Sequence, residues 1–406
     1  MLNNKFCLYL MFGHIVRSSV AGLMALALSL QASAGENFII RGSLSGLPDS
    51  VRVTLADIED PNGEVVDLAQ TFASGGTFSL SGEVGSPKMC SLSFSVYSPK
   101  SDEYRRTFSI PVMVERGVEM VVGAPVGYDS LRNTTLPERL VKVDGGEAQR
   151  VFNAYIARTG DASLKAKNAG YLNAKKYFAS NADPDTMAKY EALVLEAEAV
   201  ADAMRADFIK ENPASDIAAY LTQRELEKPF VYTADEINAM ADLVKACPDT
   251  ARISTVERRR KFALKYALRR NCPEFDVTHP DGKVVDFASL LTPGKFTFID
   301  FWASWCGPCR SAIPHVRELN QKYAGRLNVY SVSLDNSDDA WRKALDEEKM
   351  EWAQFHVSED QMNRTAQAFF ITTIPRLILL NDKGEVICST NKPDVVTACL
   401  ANHLGE

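Results

Sequence analysis

Residues 298–314, FIDFWASWCGPCRSAIP, carry an apolar strand-like run, two cysteines three positions apart and a proline five beyond the second. Nothing else in the chain restricts its fold so tightly. Pro308 suits the first turn of a helix, where its missing N–H is harmless. A helix is therefore expected over residues 307–324, directly after the strand. The alternation continues through LNVYSVSL, a helix over 339–349, RLILL, EVICS and a helix over 394–404. That order predicts a central sheet covered by helices, an α/β domain over residues 272–406.

At 406 residues the chain exceeds one ordinary core, and a multidomain protein of two or three parts is expected. Residues 35–146 hold short strand-like runs, among them FIIRGSL, VRVTLADI and TFSLSGEV, separated by turn chemistry such as GLPD and DPNG. An antiparallel β-sandwich is expected there. Residues 147–271 switch to apolar positions at helical spacing and form a helical region or linker. Within it, Thr233 followed by Glu236 marks a helix start, and the basic run Arg258–Lys261 is expected on a solvated face. A net charge of −7 gives no reason to expect a nucleic-acid partner. No P-loop or GxGxxG is present, so no cofactor is expected.

The beginning of the chain is different in kind. Lys5 and Arg17 precede the apolar run Val20–Leu30, and Ala32-Ser33-Ala34 follows. A basic start, a short apolar stretch and a small-x-small end make residues 1–34 a signal peptide. The run falls short of the roughly 20 apolar residues that span a bilayer. Export brings the chain to a compartment that permits disulfides. Of eight cysteines, Cys7 leaves with the signal and seven remain, so at least one thiol is unpaired. Cys90, Cys247, Cys272, Cys388 and Cys399 are read as buried free thiols.

Cys306 and Cys309 have several conceivable uses. Zinc needs four ligands, and a lone Cys-x-x-Cys supplies half of them. A staple closing so small a loop would stabilise little. A peroxide-reducing centre wants a different setting from FWASWC. A redox pair accounts for the neighbouring residues best. Cys306 would end the strand-to-helix loop, where helix N–H groups and the helix dipole stabilise a thiolate. Cys309 would lie one turn deeper, within reach of a mixed disulfide. Asp300, placed inside an apolar strand, should have a raised pKa and is costly there without a role.

Together with TTIP at residues 372–375, DFWASWCGPC resembles the thioredoxin fold. More specifically, the stretch from PEFDVTHPDGKVVDFASLL to IPRLILLNDKGEVI is similar to the TlpA/ResA-like envelope thiol–disulfide oxidoreductases within the AhpC/TSA superfamily. Residues 35–146 resemble, less distinctly, a secreted β-domain of unknown function that often precedes such modules. The resemblance implies that Cys306 is the attacking nucleophile, Cys309 the resolving thiol and the pair a redox-active disulfide. It implies that Asp300 handles the proton of the resolving thiol. Trp302 and Trp305 correspond to the aromatic cover, with Gly307 and Pro308 supporting the site. Ile374-Pro375 corresponds to a cis bond that presents the Ile374 backbone to an extended substrate. Two positions depart from the pattern: Ser331 stands where thioredoxin has a lysine, and Arg376 where a threonine is common.

The expected protein is an exported oxidoreductase of a Gram-negative type of periplasm or cell envelope. It would reduce the disulfides of envelope proteins with electrons from a membrane partner. Two alternatives stay open at this point. One is an oxidase using the same dithiol, and the other a partner-binding envelope protein with an incidental redox pair.

Overall fold

The computed structural model describes residues 37–59, 64–134, 137, 140–177 and 184–405. The expected signal peptide, residues 1–34, lies outside them. Two compact units are present. The first takes the described residues up to Thr222 together with Leu243–Thr255, and the second takes Gln223–Asp242 with Val256 onward.

In the first unit the strands are β1 (Phe38–Ser43), β2 (Arg52–Asp57), β3 (Val66–Phe72), β4 (Thr77–Gly82), β5 (Lys88–Ser98), β6 (Glu103–Val114), β7 (Val118–Gly123) and, after the short helix α1 (Tyr128–Arg132), β8 (Lys142–Asp144). They form two four-stranded sheets, β4-β1-β7-β8 and β3-β2-β5-β6. Alternation along β1 turns Phe38 and Ile40 inward, where they meet Leu55, Leu92 and Phe94 from the other sheet in one apolar core. The pairing is antiparallel throughout except between β1 and β7, which run parallel. Between those two strands the chain visits the other sheet and returns, the long crossover that a parallel pair needs. Strand β3 escapes sequence reading because it is largely solvent-facing at a sheet edge, with only Leu68 and Ala69 partly packed against the core.

Helices follow: α2 (Glu147–Tyr177), α3 (Pro184–Glu211), α4 (Asp216–Glu225), α5 (Ala234–Leu243) and α6 (Thr250–Lys265). Tyr155 of α2 and Phe208 of α3 meet edge to face at 5.1 Å. The expected start at Thr233 is a reciprocal cap: Glu236 N donates to Thr233 Oγ1 at 3.4 Å, and Thr233 N donates to Glu236 Oε2 at 2.8 Å. In the basic run Arg258 and Lys261 are exposed, and the two middle arginines find partners. Arg259 pairs with Glu227 at 3.0 Å and Arg260 donates to Asn238 Oδ1 at 2.9 Å, with both arginines half-buried. Arg259 thus reaches the turn after α4, and Arg260 reaches α5.

The second unit contains β9 (Asp276–Thr278), β10 (Val284–Asp286), β11 (Phe296–Trp302), α7 (Gly307–Lys322), β12 (Leu327–Ser333), α8 (Asp338–Glu348), β13 (Ala353–His356), α9 (Glu359–Ala368), β14 (Arg376–Leu380), β15 (Val386–Thr390) and α10 (Pro393–Leu404). Its sheet runs β10-β9-β13-β12-β11-β14-β15, with β11 parallel to β12 and antiparallel to β14. Strand alternation separates two cores. Phe298, Val329 and Leu379 face Ile313, Val316 and Leu319 of α7 and Val396 and Leu400 of α10. Ile299, Phe301 and Ile378 lie in the opposite cluster with Phe275, Phe287 and Phe369. Phe230 and Tyr266, which precede the expected domain start, are buried in that second cluster. Of the thiols expected to be buried, Cys90, Cys247 and Cys388 are, whereas Cys272 and Cys399 are half-exposed.

Candidate active site

The second unit brings the two thiols together at the junction of β11 and α7. Cys306 is the N-cap of α7, in extended backbone, and Pro308 occupies the helix's first turn. Its sulfur accepts a hydrogen bond from Cys309 N at 3.2 Å. Cys306 and Cys309 are joined by a disulfide with their Cα atoms 5.2 Å apart. Three residues of helix return Cys309 under the cap, so the sequence spacing alone sets this distance. Both sulfurs are well covered, with Cys306 5% and Cys309 2% exposed. Depth therefore distinguishes the two less than their position on the helix does.

Ile374-Pro375 is cis, and Cys306 Sγ lies 3.8 Å from the Ile374 carbonyl oxygen. This loop comes from just before β14, next to β11 in the sheet, so strand order rather than sequence proximity delivers it. Trp302 is fully buried and clusters with Cys306, Cys309 and Trp341. The indole N–H groups of Trp302 and Trp341 find no acceptor among the described residues. Trp305 is the opposite case, 70% exposed beside the thiols in sequence. Gly307 has open space around its Cα and stands as the first residue of α7.

Asp300 is buried on the sheet face that α7 and α10 cover, directly across from Ser331 on β12. That register makes their hydrogen bond: Ser331 Oγ donates to Asp300 Oδ2 at 3.0 Å. Burial pushes the carboxyl up to about 7, and the serine hydroxyl pulls weakly the other way. Arg376, the second departure from the family pattern, donates to the Phe370 carbonyl at 3.2 Å and has its pKa lowered by burial.

One supporting group escaped sequence reading. Asp335 accepts from Ser304 N at 2.9 Å and from Ser304 Oγ at 2.6 Å, and Ser333 Oγ donates to the same carboxylate at 2.8 Å. It thereby ties the end of β12 to the loop that carries Cys306. The available signal was an acid two residues after an apolar strand, which also describes many surface turns.

A family model described as Thioredoxin-like matches residues 294–386. The thiol–disulfide oxidoreductase ResA of Bacillus thuringiensis (strain Al Hakam) is 26% identical over 124 residues, covering 30% of this chain and 69% of that protein. The sporulation thiol–disulfide oxidoreductase A of Bacillus subtilis (strain 168) is 29% identical over 99 residues, 24% of this chain and 60% of that protein. A crystal structure of the thioredoxin domain of a Bacteroides vulgatus thiol–disulfide oxidoreductase aligns over 32% of this chain and 94% of that one, at 23% identity and a TM-score of 0.31. With its cysteine pair at a helix N-terminus and these likenesses, the C-terminal part of the chain is a thioredoxin-like thiol–disulfide oxidoreductase similar to ResA.

Proposed function

We propose that the chain is an exported reductase of disulfides in envelope proteins, with residues 1–34 as its signal peptide and residues 272–406 as its catalytic domain. Residues 35–146 and 147–271 are accessory in this reading. The observation that carries it is the Cys306–Cys309 pair at the start of α7, with the Ile374 carbonyl 3.8 Å from Cys306 Sγ. A buried carboxyl poised near 7 at Asp300, on the same sheet face as α7, supports it.

In the reduced protein the Cys306 thiolate attacks one sulfur of a substrate disulfide. The substrate S–S bond breaks, and its other sulfur leaves as a thiolate that takes a proton. Cys309 gives its proton toward the Asp300 carboxylate and attacks Cys306 Sγ, releasing the second substrate thiol. The pair ends as the Cys306–Cys309 disulfide, two electrons having passed to the substrate. A membrane partner returns those electrons. An acid with a pKa near the working pH exchanges a proton most readily, which is why burial of Asp300 matters. Trp305 offers an exposed aromatic surface to the substrate, and the Ile374 backbone offers hydrogen bonds to an extended segment.

Direction is the finer part of the proposal. Gly-Pro between the cysteines is the thioredoxin-like choice, and thioredoxin sits at about −270 mV against about −120 mV for the oxidase DsbA. Equilibrating the full chain with glutathione buffers measures the couple directly. A potential near the thioredoxin end is expected. One above about −150 mV would make the protein an oxidase.

A further inference from the structure

Outside the active site, two thiols come together at the other end of the domain. Cys388 lies on β15 two residues before the strand ends at Thr390, and Cys399 lies on α10 six residues beyond Pro393. At roughly 3.3 Å per strand residue and 1.5 Å per helix residue, the chain descends about 7 Å and climbs back about 9 Å. The short connection thus returns Cys399 to the level of Cys388. Cys399 Sγ reaches the backbone of β15, 3.7 Å from the carbonyl oxygen of Ile387, the neighbour of Cys388. Cys388 is buried in the cluster formed by α7, α10 and the sheet, and Cys399 packs against that same cluster.

Their surroundings differ in a useful way. Cys388 is buried, whereas Cys399 is half-exposed, and one turn further on His403 Nδ1 lies 3.9 Å from Cys399 Sγ. The Cys388 thiol, with His403, holds Cys399 below the ordinary thiol range against the opposing effect of burial. Contact with Cys399 and burial push Cys388 upward. One accessible, more acidic sulfur beside one shielded, protonated sulfur is the arrangement of an attacking and a resolving thiol.

We propose that Cys388 and Cys399 form a second, reversible disulfide that fastens α10 to β15. The oxidant is a small-molecule disulfide of the glutathione type. The Cys399 thiolate attacks one of its sulfurs, the S–S bond breaks, and one glutathione departs as a thiolate. Cys388 then gives up its proton and attacks Cys399 Sγ, expelling the second glutathione. The electron pair passes from the two cysteines to the two glutathione sulfurs, and the two protons end there as well.

The test uses the full chain carrying Cys306→Ser and Cys309→Ser, so that the active-site pair contributes nothing. Cys388 and Cys399 both lie in the tryptic peptide 384–406, which holds no other cysteine and which trypsin leaves whole because Lys392 precedes a proline. After equilibration with oxidised glutathione, that peptide should have lost two hydrogens and should take up no alkylating reagent. Reduction should restore two alkylatable thiols. The oxidised chain should also melt at a higher temperature than the reduced one, and Cys399→Ser, at a half-exposed position, should abolish that difference. Two alkylated cysteines after oxidation, or a stable glutathione adduct on Cys399 without the internal link, would overturn the proposal.

Discussion

Ser331 Oγ donates to Asp300 Oδ2 at 3.0 Å while accepting from Trp352 Nε1 at 2.9 Å. The indole N–H is accepted by one lone pair of the hydroxyl, whose own proton goes to the carboxyl. A neutral donor thus stands where thioredoxin places a cation, and it weakens the desolvation of Asp300 without cancelling it.

Replacing Ser331 by alanine should therefore raise the Asp300 pKa further. A net hydrogen bond of about 1 kcal/mol corresponds to roughly one pKa unit. Carboxyl carbon chemical shifts followed by NMR against pH report the value. An unchanged or lower midpoint would refute the role given to the serine.

Burial of Asp300 has a stability consequence with a definite sign. Its folded pKa of about 7 exceeds its ordinary 3.8. The native state binds the extra proton between those values, so this group's contribution falls as pH rises through that window and stays low above it. At 1.36 kcal/mol per unit the loss is about 4 kcal/mol at most. Asp300→Asn should be more stable than wild type at pH 8 and near parity at pH 4. Urea unfolding at both values decides the matter, and an equal difference at the two would contradict it.

The assignment of the two thiols separates two single variants. Cys309→Ser should accumulate mixed disulfides with its clients, since nothing remains to resolve them. Cys306→Ser should lose disulfide reduction and trap nothing. Non-reducing gels of cell extracts show which variant carries adducts, and the reverse pattern would exchange the roles.

In the first unit, Arg252 pairs with Glu59 at 2.7 Å, the side chains being 4% and 10% exposed. Removing one partner leaves the other charge buried and unpaired. Arg252→Ala should cost about 3–5 kcal/mol, and adding Glu59→Gln should recover part of it. Calorimetry of the single and double variants checks this. A double variant less stable than the single would argue against the uncompensated charge.

Tyr266 packs against Phe230, Phe262 and Phe370, the last of these within the second unit's α/β sheet region. A fragment beginning at Val256 should accordingly be more stable than one beginning at Pro273. Burial of an aromatic side chain is worth about 2 kcal/mol. Thermal unfolding of the two fragments compares them, and equal midpoints would remove Tyr266 from the core's account.

The local chemistry of this site was legible in the chain itself. The apolar run Phe296–Trp302, Pro308 in a first turn and two cysteines at helical spacing specify a strand, a capped helix and two sulfurs in reach of each other. Each depends on residues a few positions apart, where propensity and periodicity act directly. Tertiary pairing decided the rest. Strand order brings Ile374 beside Cys306, and the β11–β12 register sets Ser331 against Asp300. The return of β12 lets Asp335 hold the loop at Ser304, and the turn after β15 brings Cys399 back to Cys388. Those relationships join residues that are distant in the chain or lie on different elements. Their partners are chosen by which faces pack together, and no local pattern in the sequence reports that choice.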